Sequence, residues 1–192
     1  YLSEKTVKQL KRVLYIVFFL NAGMFLTEAI TGIIAHSSAL LADSLDLFGD
    51  AFVYGLSLFV LSKHHKIQAK VSMLKGAIML LFGAYIFFEA FHKITHAILP
   101  TAQTISFIGL LALLANALCF FLLKKHQNKN LNIKSAWICS RNDMYANIGV
   151  IGAGILVGYF NSVWPDIIVG LGIAGLVLHS SVKIIRESLS HL

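Results

Sequence analysis

Several carboxylates and two thiols lie in stretches otherwise apolar enough for lipid. Asp46 and Asp50 stand four apart in "ALLADSLDLFGDAFVYG", and Cys139 and Asp143 repeat that spacing in "AWICSRNDMYANIGV". On a helix, residues four apart share a face one turn from each other. Two helices facing each other through these pairs would assemble six carboxylate oxygens and one sulfur. Like charges in apolar surroundings repel, so each pair alone is unfavourable. A divalent cation reverses the sign of the problem, because it neutralises carboxylates that otherwise stay in lipid only by taking up protons. Four ligands of this kind suit tetrahedral Zn²⁺, and a thiolate moves the preference toward softer ions and away from Mg²⁺ or Ca²⁺. A single intramembrane acid is explained equally well as a helix cap or a boundary residue. Two such pairs on separate helices are not.

The remaining ionisable groups divide by position. Asp43 falls on the same broad face as Asp46 and Asp50 and would orient or cap rather than ligate. Glu28 and Glu89 are expected either beside the site, along its access path, or as polar anchors. Arg141 lies two residues from both Cys139 and Asp143, about 200° around the helix. It should point away from them, into a buried ion pair with an acid on a neighbouring span. Cys119 reads as a small buried hydrophobe, and His36, His92 and His96 read as interfacial.

Groups so costly in an apolar setting require elements that screen them from lipid. The 192 residues are 57% hydrophobic and 13% charged, against about 45–50% and 25% in ordinary globular domains. A soluble fold of this size could not hide that much apolar surface. A spanning helix needs about 20 apolar residues, and six candidates are present: roughly 13–35, 39–61, 74–91, 105–123, 136–160 and 163–182. The expected architecture is all-α, a single transmembrane domain of six helices. The net charge of +7 gathers at segment ends rather than on one face, which argues against nucleic acid. Lys5, Lys8, Lys11 and Arg12 precede the first span, Lys63, Lys66, Lys70 and Lys75 follow the second, Lys124, Lys125, Lys129 and Lys134 join the fourth to the fifth, and Lys183 and Arg186 follow the sixth, while the opposite loops hold Lys93 alone. The positive-inside rule therefore places both termini in the cytoplasm. No cleavable signal peptide is evident from Tyr1 onward.

These residues also carry a resemblance. "SSALLADSLDLFGD" (37–50) resembles the second-helix signature of the cation diffusion facilitators, proton-coupled exporters of zinc and similar metals. There a His or Asp stands four residues before an Asp, the places that Asp46 and Asp50 fill. "NIKSAWICSRNDMYANIGVI" (132–151) is similar to the fifth-helix signature, normally His-x-x-x-Asp. "LNAGMFLTEAITGIIAHSSAL" (20–40) is similar to the first-helix pattern, with Asn21, Glu28 and Gly32 in its places. Three departures stand out. Cys139 replaces the usual histidine, so metal selectivity does not carry over directly. The chain reaches Leu192 without the cytoplasmic metallochaperone-like domain of many members, which implies a short member of the family. The loop "LSKHHKIQAKVSML" lacks the His-Gly-His run of a second site, so His64 and His65 are expected to be solvated loop residues rather than ligands.

The resemblance implies a multi-pass protein of the cell membrane, a bacterial inner membrane in particular. It implies a metal²⁺/H⁺ antiporter with Asp46, Asp50, Cys139 and Asp143 as the transport site. Zn²⁺, or Cd²⁺ or Co²⁺, would be the exported substrate and H⁺ the counter-ion, with the lipid bilayer and a second copy in a homodimer as partners. Gly149, Gly152, Gly154 and Gly158, with Gly170, Gly172 and Gly175, would allow close helix packing. A passive cation channel and a relative that senses metal without transporting it remain alternatives. An enzyme is not expected, since neither a phosphate-binding Gly-rich loop nor His-Glu-x-x-His is present.

Overall fold

The computed structural model describes residues 4–59, 65–96, 98–127 and 131–189. Within them the chain forms six helices, α1 (Glu4–Ile34), α2 (Ser38–Phe59), α3 (His65–His96), α4 (Ala102–Lys124), α5 (Leu131–Phe160) and α6 (Trp164–Leu189), and no strands. Five of these are long and apolar enough to cross a membrane. The sixth, α2, has 22 residues, about 33 Å of helix, and differs from the others in carrying Asp43, Asp46 and Asp50. The molecule is a helical membrane bundle.

Packing explains how α2 tolerates those acids. It alone among the described helices touches all five others, while α1 with α2, α4 with α5, and α3 with α6 form the most extensive pairs. Three clusters of buried side chains surround α2: Leu41, Leu45 and Met79 with α6, Ala39 and Leu40 with α4 and α5, and Tyr54 with Val17, Cys119 and Leu123. The outer faces of the peripheral helices instead expose large apolar side chains such as Phe19, Leu81, Phe107, Ile155 and Leu176. Such a surface suits lipid, and the charges lie inside it.

The helices alternate in direction, so both ends of the described chain lie at one end of the bundle. Lys8, Lys11, Arg12, Lys124, Lys125, Lys134, Lys183 and Arg186 all belong to helix ends on that side. At the far end, His36 adopts φ 51° in the turn between α1 and α2, and Asn161 adopts φ 49° between α5 and α6. The Thr101 amide donates to the Ala35 carbonyl at 3.0 Å, joining the segment before α4 to the α1–α2 turn.

Close helix approach uses some of the glycines and not others. A Cβ on Gly170 would stand 2.5 Å from the Ser38 carbonyl carbon, so α6 crosses α2 backbone to backbone. Gly154 meets Ser106 of α4 in the same way, at 2.8 Å from its amide nitrogen. Gly152, Gly172 and Gly175 have open space where a Cβ would lie.

Candidate metal site

A cavity of about 680 Å³ opens in the half of the bundle nearer the termini, and Asp46, Asp50, Cys139 and Asp143 all line it. Asp46 and Asp50 project from successive turns of α2, and Cys139 and Asp143 from successive turns of α5. Asp46, Asp50 and Cys139 are partly accessible, whereas Asp143 is 5% exposed. Asp143 Oδ2 is buried without a hydrogen-bond partner. A buried carboxylate oxygen left unpaired is costly and open to an incoming donor or cation. The Cys139 thiol lies beside the Asp50 carboxyl, and the Tyr54 hydroxyl donates to Asp50 Oδ2 at 2.9 Å. Among the described residues no three His, Cys, Asp or Glu side chains are drawn together tightly enough to enclose one metal ion. The three acids and the thiol share a cavity, not a common point.

Behind the cavity lies a polar layer that it does not reach. Asp43 is 1% exposed and accepts a hydrogen bond of 2.5 Å from Asn147 Nδ2, and Asn147 Oδ1 accepts one of 3.0 Å from Asn116 Nδ2. Glu28, fully buried on α1, stands beside Asp43, and neither of its oxygens has a donor. Asp43 therefore belongs to a network joining α2, α4 and α5, and Glu28 extends it to α1. Asn116 and Asn147 were not singled out from sequence. Both are amides set within apolar helices, and that placement is the available signal.

At the far end a second charged group closes the bundle. Lys93 is 1% exposed, not a loop residue, and its ammonium meets Asp166 Oδ2 at 2.9 Å, Ser38 Oγ at 2.9 Å and Glu89 Oε1 at 3.4 Å. Asp166 also accepts from Ser37 Oγ at 2.6 Å, Ser38 N at 2.7 Å and Ala39 N at 3.3 Å. A side chain from α6 thus satisfies the orphan amides at the start of α2, where a helix dipole favours an anion. Glu89 accepts from Ser38 Oγ at 2.6 Å and so anchors this far-end group rather than the cavity.

Three expectations are corrected. Arg141 points away from the cavity, but it is exposed, with its guanidinium 5.6 Å from the centre of the Trp137 ring instead of in a buried ion pair. Burying a guanidinium would cost more than stacking it on an indole at the bundle surface. Lys75, counted from sequence with the loop lysines, lies within α3, is 5% exposed and lines the cavity with the four candidate ligands. Lys93, read as the one charge of the opposite loops, is the core of the far-end ion pair. His36, His92 and His96 are exposed at that end, and His92 and His96 stack ring on ring at 4.0 Å. Cys119 is fully buried in an apolar cluster. His64 lies outside the described residues, and His65 starts α3.

Comparison with known proteins agrees with this architecture. Residues 14–192 match the family model of the cation efflux transmembrane domain. A cadmium, cobalt and zinc/H⁺–K⁺ antiporter of Bacillus velezensis is 28% identical over 93% of this chain and 62% of its own length. The zinc transporter ZitB of Pectobacterium atrosepticum is 26% identical over 91% of the chain and 59% of its own. The metal cation efflux system protein CzcD of Cupriavidus metallidurans is 24% identical over 92% and 62%. The chain thus spans about three-fifths of the length of these relatives. It is a multi-pass membrane protein and belongs to the cation efflux family, a family of transporters.

Proposed function

We propose that this chain moves divalent transition-metal ions out of the cytoplasm in exchange for protons, with Asp46, Asp50, Cys139 and Asp143 as the transport ligands. The observation that carries the reading is their presence on one cavity, contributed in pairs by α2 and α5. The lysine-rich end of the bundle is assigned to the cytoplasm by the positive-inside rule. A metal entering there meets hard carboxylate oxygens and one soft sulfur, a set that suits Zn²⁺, with Cd²⁺ and Co²⁺ as further substrates. The ligands must be deprotonated to bind, so metal entry releases protons and reprotonation from the other side ejects the metal. Each proton entering down 100 mV contributes about 2.3 kcal/mol to export. The relatives named for zinc, cadmium and cobalt transport support the same substrate class. A second copy of the chain, held by helix contacts, would complete the homodimer implied by the family.

Proteoliposome uptake under an imposed pH gradient tests this, with Zn²⁺, Cd²⁺, Co²⁺, Fe²⁺ and Mn²⁺ compared side by side. Asp50→Ala should abolish gradient-dependent uptake, and Cys139→His should reorder the ions. Uptake indifferent to the gradient, or unchanged in Asp50→Ala, would overturn the antiporter and favour a passive channel.

A further inference from the structure

Lys75 brings a basic side chain against a proposed cation site. It projects from the early part of α3 into the cavity that holds Asp46, Asp50, Cys139 and Asp143 and is 5% exposed. Its charge faces Asp50, Cys139 and Asp46. Its side chain passes near Gly49, which lies between the two aspartates in the sequence of α2. A Cβ built on Gly49 would lie 3.7 Å from Lys75 Cε and 2.9 Å from Met79 Cε. The lysine stem therefore lies against α2 beside a residue without a side chain, on the stretch that carries Asp46 and Asp50. Neither acid is in a salt bridge among the described residues, where both salt bridges belong to Lys93, so Lys75 is the basic side chain that shares their cavity without being locked to either. The other groups turned toward them are the Tyr54 hydroxyl, the Cys139 thiol and the carboxyls of Asp43 and Asp143, none of them a cation.

Resting on the transport reading above, we propose that Lys75 is a tethered counter-cation that occupies the site electrostatically when no metal is bound and competes with the metal for Asp46 and Asp50. An ammonium on a flexible four-carbon stem is suited to this, because it can withdraw along the cavity without breaking a fixed bidentate geometry. Two consequences follow for a transport cycle. Any carboxylate not yet reprotonated faces a cation when the metal has left, so the empty site carries less desolvation cost. The lysine also weakens metal binding, which a transporter needs in order to release its cargo. Lys75 is thus a positioning residue that sets affinity against turnover.

The test is Zn²⁺ affinity of the purified full chain in detergent by calorimetry, beside initial uptake rates in proteoliposomes. Lys75→Gln and Lys75→Met should bind Zn²⁺ about tenfold more tightly, since a like charge leaves the site. Their KM for uptake should fall while the maximal rate falls severalfold, because release slows. Lys75→Arg, which keeps the charge, should retain affinity within about twofold of wild type on the same grounds. Tighter binding in Lys75→Arg as well would make the effect steric and overturn the proposal. So would unchanged or weaker affinity in Lys75→Gln. Should Lys75→Met fail to fold, the Gln and Arg variants decide the matter alone. Wild type that binds no Zn²⁺ would refute the transport reading itself, whereas wild type that binds while Lys75→Gln matches it refutes the role of Lys75.

Discussion

The far-end ion pair supplies the sharpest stability prediction. Replacing Lys93 by Met keeps an unbranched side chain, one atom shorter, and removes its charge, leaving Asp166, fully buried, and Glu89, 16% exposed, without a cation. At 2.9 Å and an effective dielectric near 20, the attraction to Asp166 alone is about 6 kcal/mol. Desolvation of the ammonium offsets much of this, and breaking one side of a buried pair typically costs about 3–5 kcal/mol. Asp166 keeps its three donors from Ser37, Ser38 and Ala39, so the low end applies, about 3 kcal/mol, or a little over a hundredfold in the folding equilibrium. Reversible unfolding in mixed detergent–SDS micelles, read by circular dichroism, gives the loss directly. Asp166→Asn in the same background should recover part of it, because the amide oxygen still caps α2 while the fully buried charge is gone. The coupling between the two substitutions should reach about 2 kcal/mol. A loss under about 1 kcal/mol in Lys93→Met, or strict additivity with Asp166→Asn, would show that the pair is not a unit and would refute the reasoning.

Two further outcomes test the packing. Asn147→Ala removes the donor to Asp43 and the acceptor for Asn116, and should cost about 2–3 kcal/mol in the same unfolding assay, because two buried polar groups lose partners together. Gly170→Ala drives a methyl into the Ser38 backbone while Gly172→Ala meets open space; the first should lose about 2 kcal/mol or more and the second should stay within about 0.5 of wild type.

What the sequence made legible was what local periodicity controls. Pairing within a helix, Asp46 with Asp50 and Cys139 with Asp143, follows from four-residue spacing alone. That both pairs line one cavity depends on how α2 packs against α5, which spacing does not contain. Asp166 escaped notice for a physical reason. It follows Pro165 in the first turn of α6, where an acid is already favourable to its own helix, so nothing local reveals that it reaches across to α2. Lys75 and Lys93 were misplaced for a related reason. Each sits within a turn or two of an apolar boundary, and hydropathy cannot distinguish a lysine that snorkels to water from one turned inward onto acids. The 200° offset gave the direction of Arg141 relative to Cys139 and Asp143, but the helix rotation that turned it outward onto Trp137 is set by the packing of α4 on α5. Glycines showed the same limit: Gly154 and Gly170 lie at backbone contacts and Gly172 does not, although all three look alike in sequence.

The cap that Asp166 provides makes α2 a lever with one fixed end. Its first residues are bound to α6 by a carboxylate that is itself held by Lys93, so any tilt of α2 has its fulcrum there. Asp43 lies five residues along, about 8 Å from that fulcrum, and Asp50 twelve residues along, about 18 Å. A tilt of roughly 10° would carry Asp50 about 3 Å but Asp43 only about 1 Å, given the helical rise. The same small rotation would therefore reshape the cavity wall at Asp50 while leaving the Asn147 hydrogen bond to Asp43 nearly in place. Mechanical gain along α2 thus separates the part of the helix that can move from the part that stays put.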